Sequence, residues 1–528
     1  MPTNFPQSRR PRTIWKWLGF AGIGVLFVAL RWNNFNAPLT RDEGEYAYAA
    51  QLLDRGVAPY KHAFLQKPPM VIYSYAFADW LSPQCHWSPR ILAGVFVALA
   101  TALLGYAVQL DFGTSVAWIA IWLVTVMIPA PEIGQFAANT EMFLLLPLLT
   151  IIAVFIREQH RGYRPWHWLV AGFAAIAAVF YKYTVLPLVT FIFIAWVLKI
   201  ARTQDARQLV RRLFPAGIGA ATAGALTLGF FIFHDGGRQL WECTVLFNRH
   251  YVQSGNFGLL GFWFNLKSFW SAWWILFLFS GAAFLRPAAR IWFWACVFVG
   301  ALLCTSASIY EHYYILLMPF WAVLAANGIK TAGELLANLL KRPSSETVSA
   351  MAVVTVFLCL LPDLPWIVCP SSRFSPAKFG SQNPFAESPL VARRIDELSA
   401  PDDFVFIAGS EPQILCYAHR LSPTRFITMY PLMIPSPLAP EYQREVIQDL
   451  EQRPPTLIVL ARSNTSWLRE KTSPKDFLLQ LKVLLGRDYT RVGGFVPAAT
   501  NGFWVEPLSD MQFDRSSLVL FKRKPVGK

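Results

Sequence analysis

The sequence predicts a polytopic α-helical membrane protein with a C-terminal extramembrane α/β domain. Hydrophobic residues make up 55% of the 528 residues and charged residues only 15%, whereas an average soluble domain carries roughly 25% charged residues. Apolar runs of about twenty residues, the length that crosses a bilayer, recur along the first part of the chain. From about residue 371 the composition becomes that of a soluble domain. We therefore expect about eleven transmembrane helices in residues 1–370 and a separate extracytoplasmic domain in residues 371–528.

Charge and cysteine content argue against two other classes of protein. The formal net charge of +15 comes from basic residues in short loops between apolar runs, where the orientation of a membrane protein already explains them. No basic helix carries interleaved aromatic residues, so we expect no nucleic-acid partner. The seven cysteines form no CxxC pair and no zinc-binding spacing.

The first apolar run extends from about Ile14 to Leu30. It follows a basic tail that contains Arg9, Arg10, Arg12 and Lys16. The run could be a cleaved signal peptide, but no Ala-x-Ala-like site follows it and many further spans do. We therefore expect an uncleaved first helix with a cytoplasmic N-terminus, which places residues 32–87 on the outer side.

Further spans are predicted along the chain, and basic residues mark the loops that alternation places inside. The spans lie at about 88–110, 113–130, 140–156, 166–181, 184–200, 214–233, 264–285, 289–307, 312–329 and 348–369. The basic residues of the predicted inner loops include Arg157, Arg161, Arg164, Lys199, Arg202, Arg207, Arg211, Arg212, Arg286, Arg290, Lys330, Lys341 and Arg342. This agreement supports the topology. The aromatic outer loop at 238–262 is expected to form an interfacial helix.

Residues 371–528 are predicted to form a small α/β sandwich with a largely parallel sheet, because short buried-strand runs alternate with helical patterns. The stretch from Ser371 to Pro389 is rich in Ser, Pro and Phe and is predicted to be a linker. Strands are expected near 404–408, 457–460 and 518–522, with helices near 412–419, 441–452 and 475–485. No GxGxxG fingerprint accompanies Gly409-Ser410-Glu411, so a structural or acceptor-docking domain is expected rather than a nucleotide-binding one.

The segment from Thr40 to Pro69 carries an acidic cluster between apolar runs. Ionisable residues beside a membrane are costly, so such a cluster is a functional candidate. A helix start would also explain part of it, because Thr40 and Glu43 fit a capping box and Glu45 adds an acid that complements the helix dipole. Asp42 is not the cap and is therefore the stronger functional candidate.

Lys67 is the basic counterpart of this cluster. The two prolines that follow it fix the backbone, so its ammonium group is held at a defined place near the outer leaflet, where it suits a lipid phosphate. The alternative is an ordinary interfacial lysine that snorkels to the headgroups. Other ionisable residues that collect at predicted outer helix ends are Glu132, Glu141, Lys182, Arg238, Arg249, His250, Glu311 and His312. Their gathering on one side of the membrane is the main clue to function.

In this order the residues resemble the motifs of the protein O-mannosyltransferase and aminoarabinose transferase group of GT-C integral-membrane glycosyltransferases, and in particular its bacterial dolichyl-phosphate-mannose-protein mannosyltransferase-like members. The resemblance covers about residues 14–335. Its motifs are Asp42-Glu43, Lys67-Pro68-Pro69, Asn139-Thr140-Glu141, Tyr181-Lys182-Tyr183 and the run from His312 to Pro319. The stretches Ala408 to Pro412 and Arg420 to Phe426 also resemble the tail domain of bacterial members.

The resemblance implies an enzyme that moves a sugar, a hexose or a pentose, from a polyprenyl-phosphate donor to a glycan, glycolipid or protein acceptor outside the cytoplasm. Asp42, with Glu43 beside it, would match the acid that orients or deprotonates the acceptor hydroxyl. Lys67 would match the lysine that contacts the donor phosphate. The other implied site residues are Lys182 and Arg238 for the phosphate, Glu141 and Glu132 as second acids, and Tyr46, His312 and Tyr313 in the substrate pocket.

A carboxylate on one side of the anomeric carbon and an ammonium group on the other suit in-line displacement with inversion. A divalent metal is conceivable because the carboxylates of Asp42, Glu43, Glu132 and Glu141 could converge on it, but their spacing does not require one. No cofactor is therefore assigned from the sequence.

Two other functions remain open in the sequence. A transporter or flippase of a lipid-linked sugar would show internal repeats and charges near the bilayer midplane, and neither is evident. A sensor or structural membrane protein would use the acids only as helix caps. The sequence does not identify the sugar, the acceptor or the oligomeric state.

Overall fold

A computed structural model of the chain describes residues 10–83, 86–133, 137–203, 205–253, 258–305, 307–380, 382–497 and 502–525. Arg9 of the basic tail lies outside these residues. The helices before the C-terminal domain are α1 (Arg10–Ala29), α2 (Arg41–Asp54), α3 (Pro59–His62), α4 (Met70–Leu81), α5 (Ser88–Phe112), α6 (Thr114–Met127), α7 (Thr140–Arg161), α8 (Pro165–Tyr181), α9 (Leu186–Thr203), α10 (Ala206–Phe233), α11 (Gly237–Trp241), α12 (Phe247–Tyr251), α13 (Leu259–Ala282), α14 (Ile291–Cys304), α15 (Met318–Leu340), α16 (Ser344–Leu360) and α17 (Leu364–Ile367).

Every predicted span coincides with a helix of this bundle. Within the described part of the chain, six helical stretches are long and apolar enough to cross a membrane, and α6, α8 and α14 are shorter apolar helices. The six stretches are Ser88–Phe112, Thr140–Arg161, Tyr183–Arg202, Ala206–Phe233, Glu311–Leu340 and Ser344–Ile367. The chain is therefore a multi-pass membrane protein.

In the described residues of the predicted outer segment 32–87, the α-helices are α2, α3 and α4. Helix α2 begins after Thr40, and the capping box between Thr40 and Glu43 is present as predicted. Helix α4 was not predicted, because its twelve residues are too short to cross a bilayer. The predicted helix within 238–262 is present over residues 237–251, where a π-helical turn joins α11 to α12. Residues 254–257 of that stretch lie outside the description.

The C-terminal part contains a five-stranded sheet. Its elements are α18 (Ser371–Phe379), α19 (Ser388–Leu398), β1 (Val405–Ala408), α20 (Pro412–Ala418), α21 (Tyr430–Met433), α22 (Ala439–Gln452), β2 (Leu457–Ala461), α23 (Asp476–Asp488), β3 (Tyr489–Val496), β4 (Phe503–Val505), α24 (Asp510–Arg515) and β5 (Leu518–Arg523). The strand order is β1-β2-β5-β3-β4.

The prediction of a largely parallel sheet is wrong. Among the described strands, β1 pairs with β2 in parallel, whereas β2 with β5, β5 with β3 and β3 with β4 are antiparallel. The error arose because β3 and β4 were not recognised, and because a short buried run does not reveal the direction of its strand. The parallel part is the register from Val405 opposite Leu457 to Ala408 opposite Leu460.

The prediction of a linker from Ser371 to Pro389 is also wrong for its first half, which forms helix α18. Phe374 is buried in this helix against Trp366. Lys378 donates a hydrogen bond to the Pro131 carbonyl at 2.6 Å and forms an ion pair with Glu311 at 3.2 Å. These contacts with the bundle order a segment whose composition alone suggests a flexible connection.

Ionic contacts also join helix ends at the opposite side of the bundle from the C-terminal domain. Asp111 at the end of α5 accepts a hydrogen bond from Arg290 at 2.7 Å and lies 3.0 Å from His160 at the end of α7. Arg212 of α10 pairs with Glu158 at 3.1 Å. Because the loops at these helix ends are all predicted to be inner loops, their clustering agrees with the predicted alternation of the spans.

Candidate functional site

A cavity of about 390 Å³ lies between one end of the helix bundle and the C-terminal domain. The bundle side of its wall consists of Thr40, Arg41, Asp42, Gln66, Lys67, Ala137, Asn139, Tyr251, Ile309, Tyr310, Glu311, His312 and Tyr313. The C-terminal side consists of Phe379, Asn383, Phe385, Tyr430, Thr465 and Leu468. Four predicted site residues, Asp42, Lys67, His312 and Tyr313, thus line one cavity.

Asp42 and Arg41 lie in the first turn of α2, and both line the cavity. The Arg41 guanidinium donates to the Ser410 carbonyl and pairs at 2.6 Å with the fully buried carboxylate of Glu411. Arg41 therefore fixes the start of α2 against the C-terminal domain and holds Asp42 at the boundary between the two.

Glu43 faces away from the cavity into a buried ion pair with Arg90. The distance is 2.6 Å, and Glu43 also accepts hydrogen bonds from the backbone N–H groups of Thr40 at 3.0 Å and Ala138 at 2.9 Å. Burial alone would raise the pKa of Glu43, but Arg90 and these hydrogen bonds hold it below its ordinary value. Glu43 therefore ties the start of α2 to α5 and to the segment that precedes α7.

Glu45 is a second buried acid of α2, one helical turn after Asp42. Glu45 is only 2% exposed, and its Oε1 accepts a hydrogen bond from the Tyr430 hydroxyl at 3.2 Å. Burial and the nearby Asp42 raise the pKa of Glu45 to about 8, against an opposing effect of Lys67. The two acids of this face of α2 therefore differ in environment: Asp42 lines the cavity and Glu45 lies behind its wall.

Lys67 lies in the segment between α3 and α4, and its ammonium group donates a hydrogen bond to the Tyr313 hydroxyl at 3.1 Å. Burial lowers the pKa of Lys67, but Tyr313, Glu141 and Asp42 raise it, and the net shift is upward. Lys67 is consequently a cation in the cavity wall.

Tyr313 also contacts a second lysine. The Lys182 ammonium lies 3.0 Å from the centroid of the Tyr313 ring and forms an ion pair with Glu141. Lys67, Tyr313, Lys182 and Glu141 thus form one connected group at the end of the bundle, although neither Lys182 nor Glu141 lines the cavity itself.

Three other predicted site residues lie apart from the cavity wall. Tyr46 is buried behind it and accepts a hydrogen bond from Thr140 at 3.4 Å. Glu132 lines a separate cavity of about 430 Å³ with Lys378, on the far side of Glu311, which borders both cavities. Arg238 is exposed in α11 and does not line the cavity that contains Asp42.

The proposed oxygen ligands of a metal are not brought together. Asp42 lines the cavity, Glu43 pairs with Arg90, Glu141 pairs with Lys182 and Glu132 lies in the second cavity. Within the ranges that the structure describes, no group of three or more His, Cys, Asp and Glu residues is arranged to hold a metal ion.

The C-terminal wall of the cavity is not predicted by the sequence. Its aromatic and polar residues come from α18, from the segment before α19, from α21 and from the turn after β2. Phe379 and Phe385 contact each other edge to face, with ring centroids 5.3 Å apart. No local pattern in the sequence marks these positions. The resemblance of the stretches around Ser410 and Arg420 to a tail domain was the signal that pointed to this part of the chain.

Comparison with known proteins agrees with this architecture at the level of the fold. No protein-family model and no curated protein matches the chain. The crystal structure of ArnT from Cupriavidus metallidurans bound to undecaprenyl phosphate aligns with a TM-score of 0.61 at 13% identity, over 96% of this chain and 98% of that one. The apo form of the same protein aligns with a TM-score of 0.57 at 15% identity, over 97% and 98% of the two chains.

A third solved structure is the archaeal oligosaccharyltransferase AglB from Archaeoglobus fulgidus in complex with an inhibitory peptide and a dolichol-phosphate. It aligns with a TM-score of 0.50 at 12% identity, over 95% of this chain and 75% of that one. The chain therefore has the GT-C membrane fold that its motifs implied, a helical bundle with a C-terminal domain built on a small sheet.

Proposed function

We propose that this protein is a glycosyltransferase that moves a sugar from a polyprenyl-phosphate donor to an acceptor. The observation that carries the proposal is that a carboxylate, Asp42, and a cation, Lys67, line the same cavity at one end of a membrane-embedded bundle. A sugar C1 bonded to phosphate requires these two kinds of group, one for the incoming hydroxyl and one for the departing phosphate.

Lys67 binds the donor phosphate in this proposal. Its ammonium group is oriented by a hydrogen bond to the Tyr313 hydroxyl, and the Lys182 ammonium lies over the face of the Tyr313 ring. As the bond between C1 and the phosphate oxygen breaks, negative charge grows on the phosphate, and a fixed cation in a site partly closed to water stabilises that charge. Glu141 balances the charge of Lys182 and so keeps this lysine in place.

Asp42 orients or deprotonates the acceptor hydroxyl in this proposal. Its position on the first turn of α2 is fixed by Arg41 on one side and Glu43 on the other. Attack on C1 from the carboxylate side, with departure of the phosphate toward Lys67, gives inversion at the anomeric carbon. His312 and Tyr313 line the cavity and complete the polar bundle wall around the transferred sugar.

Two structures with the same fold support a lipid-linked donor. The ArnT structure is described as bound to undecaprenyl phosphate and the AglB structure as in complex with a dolichol-phosphate. Both ligands are polyprenyl phosphates, which matches the chemistry that Lys67 and its neighbours suit.

The proposed location is the cell membrane, with the cavity and the residue 371–528 domain outside the cytoplasm and the N-terminus inside. Support comes from the two ends of the bundle. The cavity lies at the end covered by the C-terminal domain, and the pairs Asp111 with Arg290 and Glu158 with Arg212 lie where the basic inner loops are predicted. Lys and Arg are enriched in cytoplasmic loops.

The test is transfer by purified protein supplied with synthetic polyprenyl-phosphate hexoses and pentoses, with a panel of glycan, glycolipid and peptide acceptors. We expect Asp42→Asn and Lys67→Met each to reduce turnover at least about a hundredfold, the scale of one lost acid–base or charge-stabilising group. The exposed residues Glu470 and Lys471 supply matched controls, Glu470→Gln and Lys471→Met, which should resemble the wild type.

Product analysis separates this proposal from its alternatives. NMR of the product should show inversion at the anomeric carbon, and retention would reject the in-line mechanism. Movement of the lipid-linked sugar across proteoliposomes without a transfer product would instead identify a flippase. Adding EDTA, and then Mg²⁺ or Mn²⁺, to the same assay tests whether a divalent metal takes part.

A further inference from the structure

Glu45 is an acid that the proposed reaction does not use, yet it is bound into the structure of the site. It lies three residues after Asp42 in α2, so the two side chains project from the same side of the helix, one turn apart. The residue is 2% exposed, and its carboxyl group accepts a hydrogen bond from the Tyr430 hydroxyl at 3.2 Å. A buried carboxylate is costly unless it is paired or neutral.

Tyr430 gives this contact its importance. Tyr430 begins helix α21 of the C-terminal domain and lines the cavity opposite Lys67 and Asp42 on the bundle side. It lies 385 residues from Glu45 in the chain. The hydrogen bond therefore joins the helix that carries Asp42 to the part of the cavity wall that the C-terminal domain supplies.

The two nearby cations, Arg41 and Lys67, are paired with other groups and form no ion pair with Glu45. Arg41 is engaged with Ser410 and Glu411, and the Lys67 ammonium with Tyr313. The titratable groups that act on Glu45 or respond to its charge are Asp42, Arg41 and Tyr46 on α2, Tyr60 on α3, Lys67 in the segment before α4 and Tyr430 on α21. Burial and Asp42 raise the pKa of Glu45 to about 8, against the opposing effects of Lys67, the Tyr430 hydrogen bond and Arg41.

We propose that Glu45 is a positioning residue of this site: its buried carboxyl group holds Tyr430 in the cavity wall and, as a neutral group, adds no charge beside Asp42 on that face of α2. This inference rests on the proposed function and extends it. Neutral Glu45 can accept from Tyr430 and needs no cation. Ionised Glu45 would place a second negative charge one turn from Asp42. That charge would repel Asp42 and the anionic donor phosphate, and it would weaken the attraction between Lys67 and the phosphate.

The consequence is a loss of turnover at alkaline pH. As pH rises through the folded-state pKa of Glu45, the wild type acquires the second charge, and turnover should fall by about fivefold or more between pH 7 and pH 9. Glu45→Gln keeps the size and the hydrogen-bond acceptor but cannot ionise. We expect it to rescue turnover at pH 7 relative to Glu45→Ala and to lose less turnover than the wild type between pH 7 and pH 9.

The experiment measures release of polyprenyl phosphate from a synthetic polyprenyl-phosphate sugar as a function of pH. The variants are Glu45→Gln, Glu45→Ala and Tyr430→Phe, with Glu470→Gln as the matched control for an exposed acid. Tyr430→Phe should weaken turnover at pH 7 by about three- to tenfold, the effect of one lost hydrogen bond. A Glu45→Gln profile that parallels the wild type, with the same alkaline limb, overturns the proposal.

A second measurement needs no substrate and keeps this inference distinguishable from the proposed function. An acid whose folded-state pKa is raised binds its proton more tightly when folded, so folding loses stability as pH rises from the unfolded pKa to the folded one. The Tm of the wild type should therefore fall more steeply from pH 5 to pH 8 than the Tm of Glu45→Gln. Equal slopes overturn neutral Glu45, whatever the activity. A steeper wild-type slope without any turnover supports neutral Glu45 and counts against glycosyl transfer.

Discussion

Lys67 and Lys182 meet at one side chain, Tyr313. The Lys67 ammonium donates a hydrogen bond to the Tyr313 hydroxyl oxygen at 3.1 Å, and the Lys182 ammonium lies 3.0 Å from the centroid of the same ring. One tyrosine thus positions two cations that come from separate parts of the sequence, and its two modes of contact can be removed separately.

Tyr313→Phe should remove the hydrogen bond to Lys67 and keep the ring that faces Lys182. One such hydrogen bond contributes about 1 kcal/mol, so we expect kcat/KM for the donor to fall roughly fivefold. Tyr313→Leu should lose the cation–π contact as well, which contributes about 2 kcal/mol when desolvated, and fall further. Steady-state kinetics with a polyprenyl-phosphate sugar measures both, with Tyr163→Phe, at the Arg211 carbonyl, as a control. Equal activity of all three variants would contradict the arrangement.

Arg90→Met should destabilise the protein rather than alter its chemistry selectively. Removing one partner of a buried ion pair leaves the other charge unpaired and costs about 3–5 kcal/mol. Glu43 and Arg90 are both buried, and their pair joins α2 to α5. Thermal unfolding in detergent should show a much lower Tm for Arg90→Met and Glu43→Gln than for Arg491→Met, which breaks an exposed pair with Asp510. A stable but inactive Glu43→Gln would instead assign a chemical role to Glu43.

The Glu43 pair also predicts how stability depends on acid. Because the folded-state pKa of Glu43 lies below its ordinary value of 4.5, the pair contributes stability above that pH and loses it as pH falls through the folded-state pKa. Wild-type Tm should therefore decline below about pH 4.5 more steeply than that of Glu43→Gln. Parallel declines would show that the carboxylate of Glu43 is not the group involved.

Gly44→Ala should separate α2 from the C-terminal domain. A Cβ at Gly44 would lie 2.4 Å from the backbone nitrogen of Gln413 at the start of α20, so backbone must move. Overpacking of this kind costs about 1–3 kcal/mol, although Ala normally favours a helix over Gly. Turnover and Tm should both fall. Gly486→Ala in α23, where nothing lies within 4 Å of the new Cβ, is the matched control, and equal behaviour of the two would refute the close approach.

Arg41→Met should loosen the C-terminal domain from the bundle. It leaves the fully buried Glu411 carboxylate without its cation, and an unpaired buried charge is strongly unfavourable. Limited proteolysis should cut between the last bundle helix and β1 faster in Arg41→Met than in the wild type. Turnover should fall with it, because Asp42 adjoins Arg41. Unchanged proteolysis would show that other contacts, such as Phe64 with Phe426, hold the domain by themselves.

Much of the fold followed from the sequence because membrane helices are specified locally. A helix must contain an apolar run of about twenty residues to cross a bilayer. Each run predicted on this basis coincides with a helix of the structure. The helix start at Thr40 was also predictable, since a capping box involves residues only three positions apart. The relative direction of the β-strands was not predictable, because hydrogen bonds between distant segments determine that direction.

Part of the candidate site was predicted and part was not. Asp42, Lys67, His312 and Tyr313 were chosen from separate motifs, and they line one cavity. Glu132 carried a similar signal, an acid at a predicted helix end, yet it borders a different cavity. A motif reveals which residue types lie at a membrane face, but not which of them share a space.

The sequence by itself determined the membrane class, the helical spans and the gathering of ionisable residues at one end of them, because each depends on local composition and on the length of apolar runs. Only the tertiary structure decided what each acid of α2 contacts. Asp42 lines the cavity, Glu43 pairs with Arg90, and Glu45 accepts a hydrogen bond from Tyr430. Successive residues of a helix point in different directions, and what each one meets depends on segments up to several hundred positions away. The physical reason is that burial and pairing, which set the charge and the position of a carboxyl group, belong to the packed chain and not to any stretch of it.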